Sequence, residues 1–272
     1  TNDAVRANAQ DIRAKVIGEG ANLGVTQAGR IAYALCGGRI NTDFIDNSAG
    51  VDCSDNEVNI KIALAAAQTA GKLDESKRNA LLESMTDEVG DICLEDNRLQ
   101  ALALSIAESG GAGNTASYTH LVETLEALGE LDRVTEGIAS NEALKRRASD
   151  GQGMTRPELA VLLSSAKLVL QDAIEASPLA SDTAMEPVLR SIFPAPMREH
   201  YAEEIRTHRL HHELVATHLA NRIINRLGLL PPFELADEEG ASLAAVANAF
   251  VAADQLFEME SLWQEVDRAE MS

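Results

Sequence analysis

The chain has 272 residues, of which 45% are hydrophobic but only 3% aromatic, so an aliphatic core of closely packed helices fits it better than a β-sandwich. The formal net charge of −20 argues against partners such as nucleic acid or an anionic membrane surface. No apolar run approaches the length of a membrane span, so we expect a cytoplasmic protein. The three cysteines form no CxxC pair, so we expect their thiols to be reduced. The opening segment TNDAVRANAQDIRAK lacks the apolar core of a signal peptide and an initiator methionine, so we expect a piece of a longer protein.

The first sixty residues have short apolar runs separated by glycine-rich or polar stretches. Lys15-Val16-Ile17 is an apolar burst that ends at Gly18, and Gly37-Gly38 follows a segment with helical spacing. Strand, loop, helix and strand in this order are typical of an α/β unit, whose further strands would have to lie upstream. In chain order the pattern predicts a strand at 15–17, a glycine-rich loop at 18–26, a helix at 26–35, a second strand at 40–45 and a polar turn at 46–54.

From residue 55 onward the pattern is helical. The first helix is predicted to end at Gly71 and to turn one apolar face, with Val58, Ile62, Ala65 and Ala66, toward the core. Loops are predicted by composition at 109–117 and 149–153. The helices are predicted at residues 55–71, 74–92, 99–107, 118–128, 130–139, 155–174, 197–227 and 242–269.

One helix start is marked by its sequence, TRPE at 155–158. Thr155 can cap the helix, Pro157 is tolerated in the first turn, and Glu158 occupies the reciprocal position of a capping box. The residues predicted to line the buried face of this helix are Leu159, Leu162, Leu163, Ala166, Leu170 and Ile174.

Four segments, in order along the chain, resemble the large bacterial-type NAD-specific glutamate dehydrogenases. GEGANLGVT (18–26) and RINTDFIDNSAGVDCSDNEVNIKI (39–62) resemble the end of the coenzyme-binding domain of glutamate-type amino-acid dehydrogenases. GMTRPELAVLLSSAKL (153–168) and EEIRTHRLHHELVATHLANRIINRLG (203–228) look like the helical C-terminal region of the large enzymes. The resemblance therefore implies a mainly α protein, with the end of a Rossmann-like coenzyme domain at 1–60 and a helical C-terminal domain at 61–272.

The same resemblance implies an activity. Enzymes of this family oxidatively deaminate L-glutamate to 2-oxoglutarate and ammonium while reducing NAD, which implies these small molecules as substrates and cofactor. It also implies a homo-oligomer of a full-length parent, while the net charge of −20 is the reason to expect no nucleic-acid or membrane partner.

Five site residues follow from the resemblance. Gly20, Ala21 and Asn22 would contact the coenzyme near the nicotinamide ribose, Asn47 would contact the nicotinamide side, and Ser54 would hydrogen-bond the side-chain carboxylate of glutamate. An asparagine suits contact with the nicotinamide, because the nicotinamide carboxamide needs both a hydrogen-bond donor and an acceptor. One asparagine side chain supplies both. Each of these asparagine and serine residues could instead be a turn residue that satisfies the local backbone.

No catalytic residue is predicted in this chain. No GxGxxG opens a βαβ unit, and no lysine lies in the glycine-rich context of the family's catalytic lysine. The chain also departs from the small enzymes, which carry a proline and paired threonines soon after Asn22 and two glycines where Asn47-Ser48-Ala49-Gly50 has one. We therefore expect one wall of an active site that is inactive on its own.

Two other interpretations fit the sequence. Long helices, few aromatic residues and high acidity are also what a helical scaffold or a regulatory or oligomerisation module would show. A related dehydrogenase for a branched or aromatic amino acid would instead need an apolar substrate pocket.

Three histidines, His208, His211 and His212, fall on one predicted helix with arginines beside them. Because the neighbouring arginines disfavour a bound cation, we predict a solvated or inter-helix face there and no metal site.

Overall fold

The structure, a computed structural model, describes residues 7–270, which form fifteen α-helices and two short β-strands. The prediction of a mainly helical protein is confirmed. Residues 1–6, which belong to the predicted first domain and to the opening segment, and residues 271–272 of the predicted second domain lie outside the described residues. The strands are β1 (Val16–Ile17) and β2 (Arg39–Ile40), and the helices are α1 (Gln27–Leu35), α2 (Asp43–Asp46), α3 (Ser48–Thr69), α4 (Glu75–Ser84), α5 (Thr86–Ser109), α6 (Thr115–Leu128), α7 (Asn141–Ser149), α8 (Arg156–Glu175), α9 (Glu186–Ser191), α10 (Ala195–His200), α11 (Ala202–Arg206), α12 (His211–Leu227), α13 (Pro231–Glu239), α14 (Leu243–Phe257) and α15 (Met259–Glu270).

A small α/β unit precedes the helical body. The strands β1 and β2 pair in parallel, with Val16 opposite Arg39, and α1 connects them, so the predicted strand–loop–helix–strand order is confirmed. The unit has its own small core, in which the hydroxyl of Tyr33 donates to the carbonyl of Ala14 at 2.6 Å. Two strands of two residues do not make a doubly wound sheet, so the Rossmann-like assignment stays a prediction.

The second strand is shorter than the sequence predicts. The prediction at 40–45 is wrong beyond Ile40, because Asp43–Asp46 forms the short helix α2. The carbonyl of Thr42 accepts the N–H of Ile45 at 3.2 Å, and the Ile45 side chain is buried in the main core. The apolar residue that suggested a strand therefore faces the core from a helical turn.

The polar turn predicted at 46–54 is also wrong, because α3 begins at Ser48 and runs to Thr69. Only Asn47 separates α2 from α3. Packing of one face supplies most of the stability of a helix in a protein. The buried residues of α3 around Leu64 therefore stabilise the whole helix, including the polar residues at its start that had suggested a turn. The helix also runs through the predicted domain boundary at 60/61, which stays a prediction.

The predicted inward face of α3 is wrong. Val58 is 53% exposed, and the buried side chains lie on another face of the helix. Aliphatic residues occur on both faces of α3, so their spacing could not select the buried one. The buried residues of α3 are Ile60, Ala63, Leu64 and Ala67.

Helix α8 lies at the centre of the helical body and contacts α1, α5, α6, α12 and α14. Every residue predicted for its inner face is buried, so this prediction is confirmed. The capping box is present as well, with the N–H of Thr155 donating to Glu158 Oε2 at 2.8 Å. Because α8 also contacts α1, it fixes the α/β unit against the helical body.

The helix predicted at 130–139 is wrong, because this stretch is a series of turns. The side chain of Asp132 accepts the N–H groups of Val134 at 2.9 Å and Thr135 at 3.0 Å. An aspartate that binds the backbone two or three residues later stabilises a turn in place of a helix. Gly137 closes the stretch with a φ of +67°.

Three longer predicted helices are interrupted where the sequence has neither proline nor glycine. The helix predicted at 74–92 breaks at the buried Met85. The helix predicted at 197–227 is divided into α10, α11 and α12. The helix predicted at 242–269 breaks at Glu258, whose φ is +51°. The segment predicted at 99–107 is part of α5, and α6 begins at Thr115, inside the predicted loop 109–117.

None of the helices in residues 7–270 is by itself long and apolar enough to cross a membrane. Helices α13 and α14 reach that length and apolarity only as a pair, and the pair is bent by 113°.

Candidate functional site

The structure brings together two of the predicted site residues, Asn22 and Asn47. The side-chain amide of Asn47 donates a hydrogen bond to Asn22 Oδ1 at 3.0 Å, across 25 residues of sequence. Both side chains face a cavity, and Gly20 and Ala21 belong to the same loop as Asn22. This contact leaves the NH2 group of Asn22 and the carbonyl oxygen of Asn47 as a free donor and acceptor among the described residues.

Three buried charged residues hold the loop that carries Asn22. Arg30 Nε lies 2.6 Å from Glu19 Oε2, and Arg30 Nη2 lies 3.0 Å from Asp43 Oδ1. The carboxylates also bind the loop backbone, since Glu19 Oε1 accepts the N–H of Val25 at 2.9 Å and Asp43 Oδ2 accepts the N–H of Leu23 at 2.7 Å. The group Glu19, Arg30 and Asp43, called here the loop anchor, therefore fixes the loop to α1 and α2.

The loop anchor supports an unfavourable backbone conformation beside Asn22. Leu23 has a φ of +59°, in the left-handed region that favours glycine, and its side chain is 86% exposed. Burial disfavours the charge of Asp43, but the hydrogen bond from the Leu23 N–H and the charge of Arg30 outweigh it and hold the pKa of Asp43 below its usual value. The spacing of these residues did not predict the loop anchor.

Asn97 of α5 fixes the chain on both sides of Asn47. Its side-chain amide donates to the carbonyl of Ile45 at 2.9 Å and to Ser48 Oγ at 2.7 Å. The helical body thus positions Asn47, while the α/β unit positions Asn22. Sequence analysis missed this contact, because it joins residues about fifty positions apart.

The cavity beside the asparagine pair has a volume of about 840 Å³. Its lining includes Asn22, Asn47 and residues of helices α2, α3, α5, α8 and α12. Pockets of this size are typical of small-molecule sites. The cavity therefore lies between the coenzyme loop suggested by the sequence and the helical body.

Several ionisable groups in this cavity are strongly shifted. Burial lowers the pKa of the Lys167 ammonium to about 7, although Asp96 opposes the shift. Burial, followed by the charge of Asp52, raises the pKa of Asp96 to about 6, and the same two causes raise the pKa of the Cys93 thiol to about 12. Shifted groups that line one cavity are typical of functional sites.

Ser54 lies outside this cavity, on an exposed part of α3. Its hydroxyl donates to the carbonyl of Gly50 at 3.4 Å, one helical turn earlier. Its predicted role in binding the substrate carboxylate stays a prediction.

The predicted histidine group is divided, because α12 begins at His211 and His208 precedes it. His208 is buried, with its Nδ1 accepting the N–H of Leu210 at 3.1 Å and its Nε2 lying 3.2 Å from the carbonyl of Asn59. Burial lowers the pKa of His208. Both ring nitrogens are thus used within the fold, and His208 joins α3 to the start of α12.

Comparison with known proteins gives consistent matches over nearly the whole chain. A family model described as bacterial NAD-glutamate dehydrogenase, catalytic domain, matches residues 1–107. A second, described as glutamate dehydrogenase, C-terminal, matches residues 151–272. The NAD-specific glutamate dehydrogenases of Halomonas elongata and Pseudomonas aeruginosa are each 42% identical to 98% of this chain, and that of Mycobacterium tuberculosis is 40% identical to 99% of it. The chain spans only 16% of the length of the first two relatives and 17% of the third.

Proposed function

The chain belongs to the bacterial NAD-glutamate dehydrogenase family, and we propose that it forms the nicotinamide-side wall of the active site in such an enzyme. The reaction would convert L-glutamate and NAD to 2-oxoglutarate, ammonium and NADH. The activity would belong to a longer cytoplasmic polypeptide that forms a homo-oligomer, and this chain would be inactive by itself. Residues 1–60 would end its coenzyme-binding domain, and residues 61–272 would form its helical domain.

The observation that carries the proposal is the contact between Asn22 and Asn47. The free NH2 group of Asn22 and the free carbonyl oxygen of Asn47 match the acceptor and the donor of a nicotinamide carboxamide. Neutral ligands suit the nicotinamide ring, which carries a positive charge in its oxidised form. The two asparagines therefore fit the group that the family name of the relatives implies.

NAD supplies the hydride-accepting ring when it is bound. The residues of this chain would orient that ring: Asn22 from the α/β unit and Asn47 from the α2–α3 junction, with the loop anchor and Asn97 holding them in place. Hydride transfer depends steeply on such positioning, because a displacement of about 1 Å can cost roughly 100-fold in rate.

Replacing Asn47 with alanine in the full-length enzyme tests the proposal. We expect kcat/KM for glutamate-dependent NAD reduction to fall roughly 10- to 100-fold, since the nicotinamide loses one ligand and its fixed position. The matched control is Asn79→Ala on the exposed face of α4, which should leave the kinetics unchanged. Unchanged kinetics for Asn47→Ala would reject the assignment.

Gly50→Ala should separate stability from activity. A Cβ at residue 50 would lie 2.8 Å from Asn47 Oδ1, so the Asn47 side chain would have to move. Alanine favours a helix over glycine by roughly 0.5–1 kcal/mol, so we expect the melting temperature to hold or rise while NAD reduction falls. In the control Gly90→Ala on α5, the added methyl group meets open space and should leave activity unchanged. Full activity of Gly50→Ala would show that the position of Asn47 is unimportant.

A domain-contact role is the second candidate function. Leu256 and Phe257, at the end of α14, are 75% and 63% exposed, and large exposed apolar side chains are typical of contact surfaces. This role is compatible with the first in one polypeptide. If the full-length protein still binds NAD after both Asn22 and Asn47 are replaced, the domain-contact role would be favoured over the first.

A further inference from the structure

Arg156 is the first residue of α8, at the end of the helix where a positive charge is unfavourable. Its guanidinium instead contacts two other parts of the chain. Nη1 donates to Ser105 Oγ and Nη2 donates to the carbonyl of Ala101, both at 2.9 Å, and Nη1 also lies 3.4 Å from Glu108 Oε2. These contacts join α8 to α5. The remaining donor, Nε, binds Asn41 Oδ1, between β2 and α2 of the α/β unit.

The contact with Asn41 continues to the loop that carries Asn22. Asn41 Nδ2 donates to Asp46 Oδ1 at 2.6 Å. The other carboxylate oxygen, Asp46 Oδ2, accepts the N–H of Glu19 at 2.8 Å, and Glu19 lies three residues before Asn22 in the same loop. The three residues Arg156, Asn41 and Asp46, called here the α8 link, therefore connect the start of the central helix to the coenzyme loop.

Asp46 is the point at which the two asparagine segments meet. It is the last residue of α2 and directly precedes Asn47, while its carboxylate binds the backbone of the loop with Asn22. Because both carboxylate oxygens are engaged, a shift of Asn41 would change how the loop is placed relative to Asn47. The residues of the α8 link lie outside the lining of the cavity beside the asparagine pair, so they can act on that site only through position.

We propose that Arg156 is a positioning residue for the coenzyme, which acts through Asn41 and Asp46 to set the separation of Asn22 and Asn47. This inference rests on the proposed function, because it takes the two asparagines as ligands of the nicotinamide. Arginine suits the task, since its planar guanidinium has five donors in a fixed geometry and serves acceptors in α5 and in the α/β unit at once. The ammonium of a lysine cannot span both sets of acceptors.

The test measures hydride transfer in single turnovers of the full-length enzyme, followed by the absorbance of NADH in a stopped-flow instrument. The enzyme is in excess over NAD, and glutamate is saturating. Under these conditions the rate constant does not depend on what fraction of the enzyme is folded, so a purely structural loss leaves it unchanged. A displaced nicotinamide lowers it, because transfer depends steeply on the distance and angle of the reacting atoms.

Three variants separate the α8 link from the other contacts of Arg156. Asn41→Asp keeps an acceptor for Arg156 but has no donor for Asp46, and we expect its rate constant to fall roughly 10-fold. Arg156→Met should lose a similar factor, and the double variant should lose little more than either single one, because both changes break one route. The matched control is Ser105→Ala, which removes a different acceptor of Arg156 and should keep the wild-type rate constant.

The outcomes distinguish the inference from the proposed function. A wild-type rate constant in Asn41→Asp, an equal fall in Ser105→Ala, or losses that multiply in the double variant would each overturn the role of the α8 link. A wild-type enzyme without glutamate-dependent NAD reduction would reject the proposed function itself. Should Arg156→Met fail to fold, Arg156→Lys takes its place beside Asn41→Asp, and wild-type rate constants in both would overturn the inference.

Discussion

Replacing Arg30 with methionine is expected to lower the free energy of unfolding by about 3–5 kcal/mol, because removal of one partner leaves buried charges without compensation. Glu19 and Asp43 are both buried, and Arg30 is the cation that contacts both. Their carboxylates also bind the backbone of the loop that carries Asn22. We therefore expect coenzyme binding by the full-length enzyme to weaken along with stability. Chemical denaturation of the 272-residue chain, monitored by circular dichroism, measures the first effect.

The pH dependence of this effect provides an internal check. In the wild type the pKa of Asp43 is depressed, so its contribution to stability is present above its unfolded pKa and is lost as the pH falls through the lower folded value. In Arg30→Met the Asp43 carboxylate loses the positive charge that helps to lower its pKa, so it should be protonated more readily. The stability difference between the two proteins should therefore narrow in acid. The control is Arg206→Met, which breaks an exposed ion pair and should change little. A wild-type stability for Arg30→Met would contradict the role of the loop anchor.

Replacing Glu158 with alanine should have a similarly large effect on the helical body. Glu158 is fully buried, and it accepts hydrogen bonds from the backbone and hydroxyl of Thr155 and from both terminal nitrogens of Arg147. The substitution removes the cap of the central helix and leaves the Arg147 guanidinium unpaired. We expect a loss of about 3–5 kcal/mol in the free energy of unfolding.

Two further variants show which part of this loss comes from the charge. Glu158→Gln keeps the shape and can still cap α8, so it should retain part of the lost stability. Glu203→Ala, in an exposed ion pair with Arg206, should change the midpoint of denaturation little. Equal stability of Glu158→Ala and the wild type would contradict a central role for α8 and its cap.

Sequence analysis predicted α8 well and α3 poorly, for physical reasons that differ. In α8 the capping residues and the apolar period agree, and its buried face is continuous from Leu159 to Ile174. In α3 apolar residues lie on both faces, so only the packing of α5 and α11 determines that Leu64 is buried and Val58 exposed. The break at Glu258 carries no glycine or proline, so local pattern could not predict it.

The site could be predicted only where a short motif carries it. Asn22 and Asn47 came from recognisable segments, and the structure adds that they contact each other. The loop anchor, Asn97 and Lys167 depend on contacts between distant parts of the chain, which spacing does not reveal. Glu19 offered one signal, since a charged residue between two glycines in an otherwise small-residue loop indicates a specific partner.

The most direct test of the account is a cryo-EM or crystal structure of the full-length enzyme with NADH bound. We predict density for the nicotinamide carboxamide within hydrogen-bonding distance of Asn22 and Asn47, in the cavity that these residues share with Lys167. Nicotinamide density elsewhere, with the two asparagine side chains bonded only to each other, would contradict the assignment of this chain to the coenzyme wall.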